Sequence, residues 1–164
     1  MIIKRLVFAL LPLVIAACTT PEQQQAAAEQ AIRLQKIDDN YIPVTYVSIS
    51  CVGHADTAVT GYFVQDLVST RKYGGGGCGG IAAVGYPLPK QWQPGLKVTV
   101  GWKLDGQPWR ETTTSIMRYE KTGTMYVHVF NNNQVRVVSA PIHGPGNPRH
   151  PIDQNAKIPP SEEQ

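Results

Sequence analysis

The segment 96–104 alternates apolar and polar side chains more regularly than any other part of the 164-residue chain. Its apolar residues recur at every second position, which is the period of a half-buried β-strand. Asp105 and Gly106 follow at once, and this dipeptide favours a tight hairpin turn. At least part of the chain is therefore expected to fold as an antiparallel sheet.

Similar short segments recur along the chain and are separated by turn-forming residues. We predict strands at residues 42–51 (with a bulge near Tyr46), 58–66, 81–84, 109–119, 125–130 and 135–140, in addition to 96–104. About seven short strands with turns at such spacing are typical of a sandwich. The length favours one domain, so we expect an all-β fold, a single immunoglobulin-like or related β-sandwich domain over residues 41–140.

The amino terminus has the pattern of an export signal. Two basic residues precede an apolar segment, residues 6–17, which is too short to span a bilayer, and small residues stand directly before Cys18. This pattern resembles the lipobox of bacterial lipoproteins, and the resemblance implies a signal peptide at residues 1–17 and acylation of Cys18, with palmitate among the chains. An ordinary secretory signal is the alternative. Thr19 replaces the aspartate typical of inner-membrane retention, so we expect a lipid anchor in the outer membrane and a periplasmic domain.

Two further segments flank the predicted sandwich. Residues 18–40 are rich in glutamine and alanine, and Thr20 and Pro21 suit the cap and first turn of a helix. We predict a short, partly helical tether there, with a partner-binding amphipathic helix as the alternative. Residues 141–164 contain six prolines and little periodicity, which predicts a flexible tail.

Charge and cysteine content narrow the possible partners. Without the signal peptide, 13 basic residues face 12 acidic ones, and no basic cluster with interleaved aromatic residues indicates nucleic-acid binding. With Cys18 lipidated, Cys51 and Cys78 remain as a pair in an oxidising compartment. We expect them to form a disulfide, worth ~3.6 kcal/mol by loop entropy; a reactive thiol or a metal site is the alternative.

The catalytic motifs that one sequence can show are missing. The glycine-rich segment 74–80 lacks the lysine and hydroxyl residue of a phosphate-binding loop, and no serine lies in a nucleophile elbow. His54, His128, His143 and His150 occur without the spacing of metal ligands. We therefore predict no enzyme, no catalytic residue, no metal, no cofactor and no small-molecule substrate. A hydrolase assembled from distant residues is an alternative.

Residues 48–102 resemble a family of proteobacterial lipoproteins whose shared domain has no assigned activity. The resemblance rests on His54 after a strand, on four glycines before Cys78, on Pro89, and on the sequence WQPGLKVTVGW at residues 92–102. Members often accompany lipase effectors of type VI secretion. The resemblance implies an immunity protein that binds and inhibits a secreted antibacterial effector, a lipase or phospholipase. A structural or assembly lipoprotein of the envelope or the secretion apparatus is the alternative.

Candidate contact residues for such a toxin are aromatic or glycine residues in predicted loops, because exposed aromatic side chains often dominate binding energy. They are Tyr73, Gly74, Gly75, Gly76, Gly77, Trp92, Asp105 and Gly106. Trp102 shares a face with the strand valines and is expected in the core. Trp92 and Trp109 follow turn residues, so each suits either a binding surface or packing over an end of the sandwich.

Overall fold

The computed structural model describes residues 20–39, 41–67, 70–80 and 83–161, and within the helix it describes the side chains of residues 20–35 only. The predicted signal peptide at residues 1–17 and the lipidated Cys18 lie outside the described residues. The same is true of residues 81 and 82, where one strand was expected to begin.

A single helix, α1, spans Pro21–Asp39 and agrees with the prediction of a helical segment. Thr20 and Gln23 bond reciprocally at its start: the Gln23 amide donates to Thr20 Oγ1, and the Thr20 amide donates to Gln23 Oε1. The helix ends at Asp39, within the predicted tether at residues 18–40. No helix in the described ranges is long and apolar enough to cross a membrane.

Eight strands follow the helix in the described residues, which confirms the predicted all-β fold class. They are β1 (Val44–Gly53), β2 (Val59–Asp66), β3 (Tyr73–Gly75), β4 (Ala83–Pro89), β5 (Lys97–Leu104), β6 (Trp109–Ser115), β7 (Thr124–Val129) and β8 (Val135–Ala140). Sheet A has the order β4-β1-β7-β8, and sheet B has the order β3-β2-β5-β6. All pairings are antiparallel except that of β1 with β7, which is parallel.

The main core lies between the two sheets and is built from the alternating residues of their inner faces. Val98, Val100 and Trp102 of β5 are buried there, as the period of two predicted. Ile49 of β1 and Val127 of β7 face them from sheet A. Strand β1 has a register shift between Val47 and Ser48, next to the predicted bulge.

The glycine-rich segment is partly a strand, which the sequence analysis did not predict. Gly74 of β3 pairs with Phe63 of β2. A Cβ at Gly74 would lie 2.1 Å from the carbonyl oxygen of Tyr62 and 2.6 Å from the Cα of Phe63. Only a glycine lets the two backbones approach so closely. This glycine therefore serves the packing of an edge strand.

A second, smaller core lies on the outer side of sheet A, beneath the carboxy-terminal tail (residues 141–161 of the described chain). Ile152 of the tail packs with Met117, Phe130 and Val138, and it is 2% exposed. Arg136 of β8 donates from Nε to the carbonyl oxygen of Pro160 at 2.7 Å. The sequence predicted a flexible tail. The segment has no helix or strand, but it packs on the sheet because it supplies buried side chains.

Candidate functional site

Three histidines from distant parts of the sequence form a hydrogen-bonded chain on the outer side of sheet A. His54 follows β1, His128 lies in β7 and His150 lies in the tail, and each is at most 6% exposed. His54 Nε2 lies 2.8 Å from His128 Nδ1, and His128 Nε2 lies 3.1 Å from His150 Nε2. The Nδ1 of His150 lies 2.7 Å from the carbonyl oxygen of His143. We call His54, His128 and His150 the histidine chain.

The carbonyl oxygen of His143, at one end of the histidine chain, determines which ring nitrogens carry protons. A carbonyl can only accept, so His150 Nδ1 donates to it, and the Nε2 of a neutral His150 must then accept. His128 consequently donates from Nε2 and accepts at Nδ1, while His54 donates from Nε2. The remaining nitrogen, His54 Nδ1, is a buried acceptor with no hydrogen-bond donor among the described residues.

Burial makes the charged forms of these histidines unfavourable. Desolvation, together with the neighbouring His54 and His150, lowers the pKa of His128 to about 3. Desolvation also lowers the pKa values of His54 and His150, against the backbone of Ala156 and the carbonyl of His143, which raise them. The histidine chain is therefore neutral at pH 7, and its rings are held by stacking as well: His54 lies parallel to Phe130 at a centroid distance of 4.3 Å.

A cavity of about 760 Å³ opens beside His54, at the carboxyl end of β1. The disulfide between Cys51 and Cys78 lines it, which confirms the predicted pairing. The rest of the lining combines small apolar and polar residues, and it includes tail residues 154–157. The described residues contain no group of three histidine, cysteine or acidic side chains that could hold a metal ion. The accessible surface of His54 Nδ1 is below 1 Å², so this nitrogen does not contact a solute in the cavity.

Three of the predicted contact residues have structural roles. Tyr73 is 8% exposed and packs edge-on against Tyr86 at a centroid distance of 5.2 Å. Trp92 is partly buried, and its indole nitrogen donates to the carbonyl oxygen of Ile116 at 2.8 Å. The alternative weighed for Trp92, packing over an end of the sandwich, matches this arrangement. Gly77 lies against the carbonyl oxygen of Val59 and also serves packing.

The other predicted contact residues are exposed, and some of them border an aromatic pair on the outer side of sheet B. Phe63 of β2 and Trp109 of β6 lie 5.6 Å apart, and Trp109 is 51% exposed. Lys72 Nζ lies 3.8 Å from the ring centroid of Phe63 and 3.3 Å from Glu111 Oε1. We call Phe63, Lys72, Trp109 and Glu111 the aromatic face. The exposed predicted residues are Gly74, Gly75 and Gly76 near Phe63 on β3 and its loop, and Asp105 and Gly106 at the turn before Trp109.

Two glycines allow the rings of Phe63 and Trp109 to pack directly against the sheet. A Cβ at Gly61 would lie 3.0 Å from the ring of Trp109, and one at Gly101 would lie 2.1 Å from the ring of Phe63. Each ring therefore occupies the space above a residue that has no side chain. The alternation of β2 and β5 places these glycines on the outer side, but it does not show that the rings of Phe63 and Trp109 lie over them.

The histidine chain was also not predicted from the sequence, because each histidine was considered alone. A signal was available in β7 and the residue after it, where Tyr126, His128 and Phe130 alternate with the core residues. A strand with apolar or ring side chains on both faces indicates that both faces are covered. The tail is the segment that covers this face.

Comparison with known proteins identifies the domain but no function. No curated protein and no solved structure matches the chain significantly. The model of a family described as a protein of unknown function, DUF3304, matches residues 52–137. That range includes His54, His128 and the aromatic face, and it ends before the tail. The match agrees with the expected domain of unassigned activity, whereas the association with lipase effectors stays a prediction. Since more than half of the sequence is covered, the chain belongs to the DUF3304 family of proteins of unknown function.

Proposed function

We propose that this protein is a non-enzymatic immunity lipoprotein of the outer membrane. It faces the periplasm, is held in the membrane by acylated Cys18, and binds and inhibits a secreted antibacterial effector, a type VI lipase or phospholipase. The binding surface in this proposal is the aromatic face, with Gly74 and the turn at Asp105 and Gly106 at its border.

The aromatic face is the observation that carries the binding part of the proposal. Trp109 is half exposed although it is the kind of side chain that a stable fold buries. Tryptophan is enriched among residues that dominate interface energies. Lys72 and Glu111 beside it supply a polar rim. The surface lies on paired strands of a sandwich, so it loses little conformational freedom when a partner binds.

The immunity part is supported by the resemblance of residues 48–102 to lipoproteins that accompany lipase effectors, and by the export signal. An effector that hydrolyses phospholipids must be intercepted at the bilayer. A lipid anchor keeps the inhibitor at that surface, where its effective concentration is high. A protein that acts by occlusion needs a binding surface and no catalytic group.

A titration tests the proposal directly. The full chain is reconstituted in phospholipid vesicles and exposed to supernatant from secretion-active donor cells, and the release of fatty acid is measured. We expect hydrolysis to fall as the chain is added and one lipase to be recovered with it. Unchanged hydrolysis at excess chain, or recovery of envelope and secretion-machine components only, would favour the assembly alternative and refute inhibition.

Single substitutions test whether the effector binds the aromatic face and not another part of the sandwich. Trp109→Ala is expected to weaken inhibition by about 30-fold or more, the effect of a residue that contributes ~2 kcal/mol to binding. Tyr46→Ala is the matched control, because Tyr46 is 74% exposed and lies on β1 of the other sheet. Equal effects of the two substitutions would remove the aromatic face from the proposal. Fatty-acid release by the chain itself, lost on His54→Ala, would indicate a hydrolase instead.

A further inference from the structure

We propose that the histidine chain is a pH-sensitive latch, which holds the carboxy-terminal tail on sheet A while its rings are neutral and releases the tail when they acquire protons. The inference is independent of the partner and of the membrane anchor, since it concerns only the sandwich and its tail.

The latch joins three parts of the fold. His54 follows β1, His128 is in β7, and His150 belongs to the tail. Other contacts of the tail in the described residues are the packing of Ile152 and Ala156 in the small core, the bond from Arg136 to the Pro160 carbonyl, the ring contact of His150 with Tyr126, and an exposed ion pair of Lys157 with Asp56. A segment without helix or strand, held by side-chain contacts and not by a strand ladder, opens at a lower free energy than the sheets do. The buried bond between His128 and His150 is one of the contacts that keep it closed.

A count of the N–H groups in the three rings shows which nitrogen an added proton must bind. Three neutral imidazoles carry three N–H groups, and all three are used, toward the His143 carbonyl, His150 and His128. The acceptor nitrogens of His150 and His128 are already occupied by these donors. Only His54 Nδ1 is vacant, and it lies beside the backbone of Ala156 in the tail. Adding one proton to the neutral histidine chain therefore places a positive charge beneath the tail.

The surroundings balance that cation only in part. Burial lowers the pKa of His54 most; the backbone of Ala156 and the carboxylate of Asp153 raise it, whereas Lys157 and His150 lower it further. His143 acts on His150 in the same direction. Arg136 of β8 is the register partner of His128, and its guanidinium bonds the carbonyl oxygens of Val135 and Pro160. Positive groups thus face the rings from the tail and from β8.

The direction of the pH effect follows from these lowered pKa values. With the tail open, the histidines titrate near ~6.5, whereas in the closed state they bind protons only at lower pH. The open state therefore takes up more protons on acidification. Closure is fully stable above pH ~6.5 and weakens as the pH falls below it, by up to about tenfold in the closed-to-open ratio per pH unit for each proton taken up.

Hydrogen exchange tests the latch on the full chain in detergent. The amides of His150 and Ala156, which bond the carbonyls of Asn147 and Asp153, report on the tail, and the paired amides of β5 report on sheet B. Between pH 7 and 5, after correction for the intrinsic rate, we expect tail protection to fall by about tenfold or more per pH unit. The protection of β5 should remain unchanged. A constant tail protection, or an equal loss in both regions, would refute the latch.

A conservative variant identifies the proton-binding group. Glutamine at position 54 can still donate an N–H to His128, but it cannot take up a proton, so His54→Gln should lower the pH dependence of tail protection by about one proton. His143→Gln is the matched control: it removes a tail histidine whose ring is outside the chain, and the dependence should persist. The same dependence in both variants would refute the role of His54.

A measurement on the unmodified chain does not depend on how the variants fold. Nitrogen-15 spectra of the imidazole rings at pH 7.5 should show His54 and His128 protonated at Nε2 and His150 protonated at Nδ1. Any other set of tautomers would contradict the assignment of protons to nitrogens on which the latch rests.

Discussion

The two outer faces of the sandwich are built from the same alternation of residues, but one face is buried and the other is exposed. On sheet A, His128 and Phe130 are at most 1% exposed because the tail covers them. On sheet B, Phe63 and Trp109 are packed over glycines and face solvent in the described structure. A period of two assigns side chains to two faces, but it does not say which face receives a cover. The covered face carries the proposed latch, and the open face carries the proposed binding surface.

The largest expected difference between the two faces is in how much free energy of unfolding is lost when an aromatic ring is removed. Phe130→Ala should lower the free energy of unfolding by ~3–5 kcal/mol, since it leaves a cavity between Ile152 and the stacked ring of His54. Phe63→Ala should cost about 1 kcal/mol or less, since solvent fills the space. Urea denaturation of both variants measures this. Equal losses would mean that sheet B is also covered in the folded protein.

The next comparison is within the tail. Ile152 is 2% exposed and Ile158 is 82% exposed. We expect Ile152→Ala to cost ~2 kcal/mol or more in the closure of the tail, and Ile158→Ala to stay within ~0.5 kcal/mol. Limited proteolysis is a suitable measurement, because cleavage of the open tail follows the population of the open state. If both variants are cut at the same rate, Ile152 does not anchor the tail.

A third comparison concerns the glycines next to the open face. Gly74→Ala places a Cβ against the backbone of Tyr62 and Phe63, and we expect a loss of ~1–3 kcal/mol. A Cβ at Gly76 meets no atom within 4 Å, so Gly76→Ala should be neutral or should stabilise by ~0.4–1 kcal/mol. Thermal unfolding of the two variants decides between packing and loop flexibility. A neutral Gly74→Ala would show that β3 is free to move away from β2.

Much of the sandwich could be predicted from the sequence, since its signals are local. The alternation before Asp105, the bulge near Tyr46, and the even pair Cys51 and Cys78 each predicted a feature of the structure. What could not be predicted depends on contacts between distant residues. His150 and Ile152 lie in a segment without periodicity, and nothing near them in the sequence indicates that a sheet will bury them.

The candidate sites show the same limit. Trp92 and Trp109 both follow turn residues, and their sequence neighbourhoods do not distinguish them. The structure does, because the Ile116 carbonyl binds the indole nitrogen of Trp92 whereas Trp109 lies over Gly61 on an open sheet. Three histidines that looked independent form one chain for the same reason. Their meeting is a property of the strand order, which places β7 beside β1.

The smallest expected effect tests whether the open face is held by its charges. Lys72 and Glu111 are about half exposed at their side chains, so solvent screens their attraction. Their coupling energy, measured by a cycle of Lys72→Ala, Glu111→Ala and the double variant, should be ~0.2–1 kcal/mol and should fall as salt is added. Lys72→Ala also removes the cation from the ring of Phe63, worth ~0.5–1 kcal/mol at an exposed site. The aromatic face would then be held by the fit of its rings over Gly61 and Gly101, and its charges would serve to orient a partner. A coupling well above 1 kcal/mol that is insensitive to salt would instead indicate a desolvated pair, and with it a cover over sheet B that makes the two faces alike.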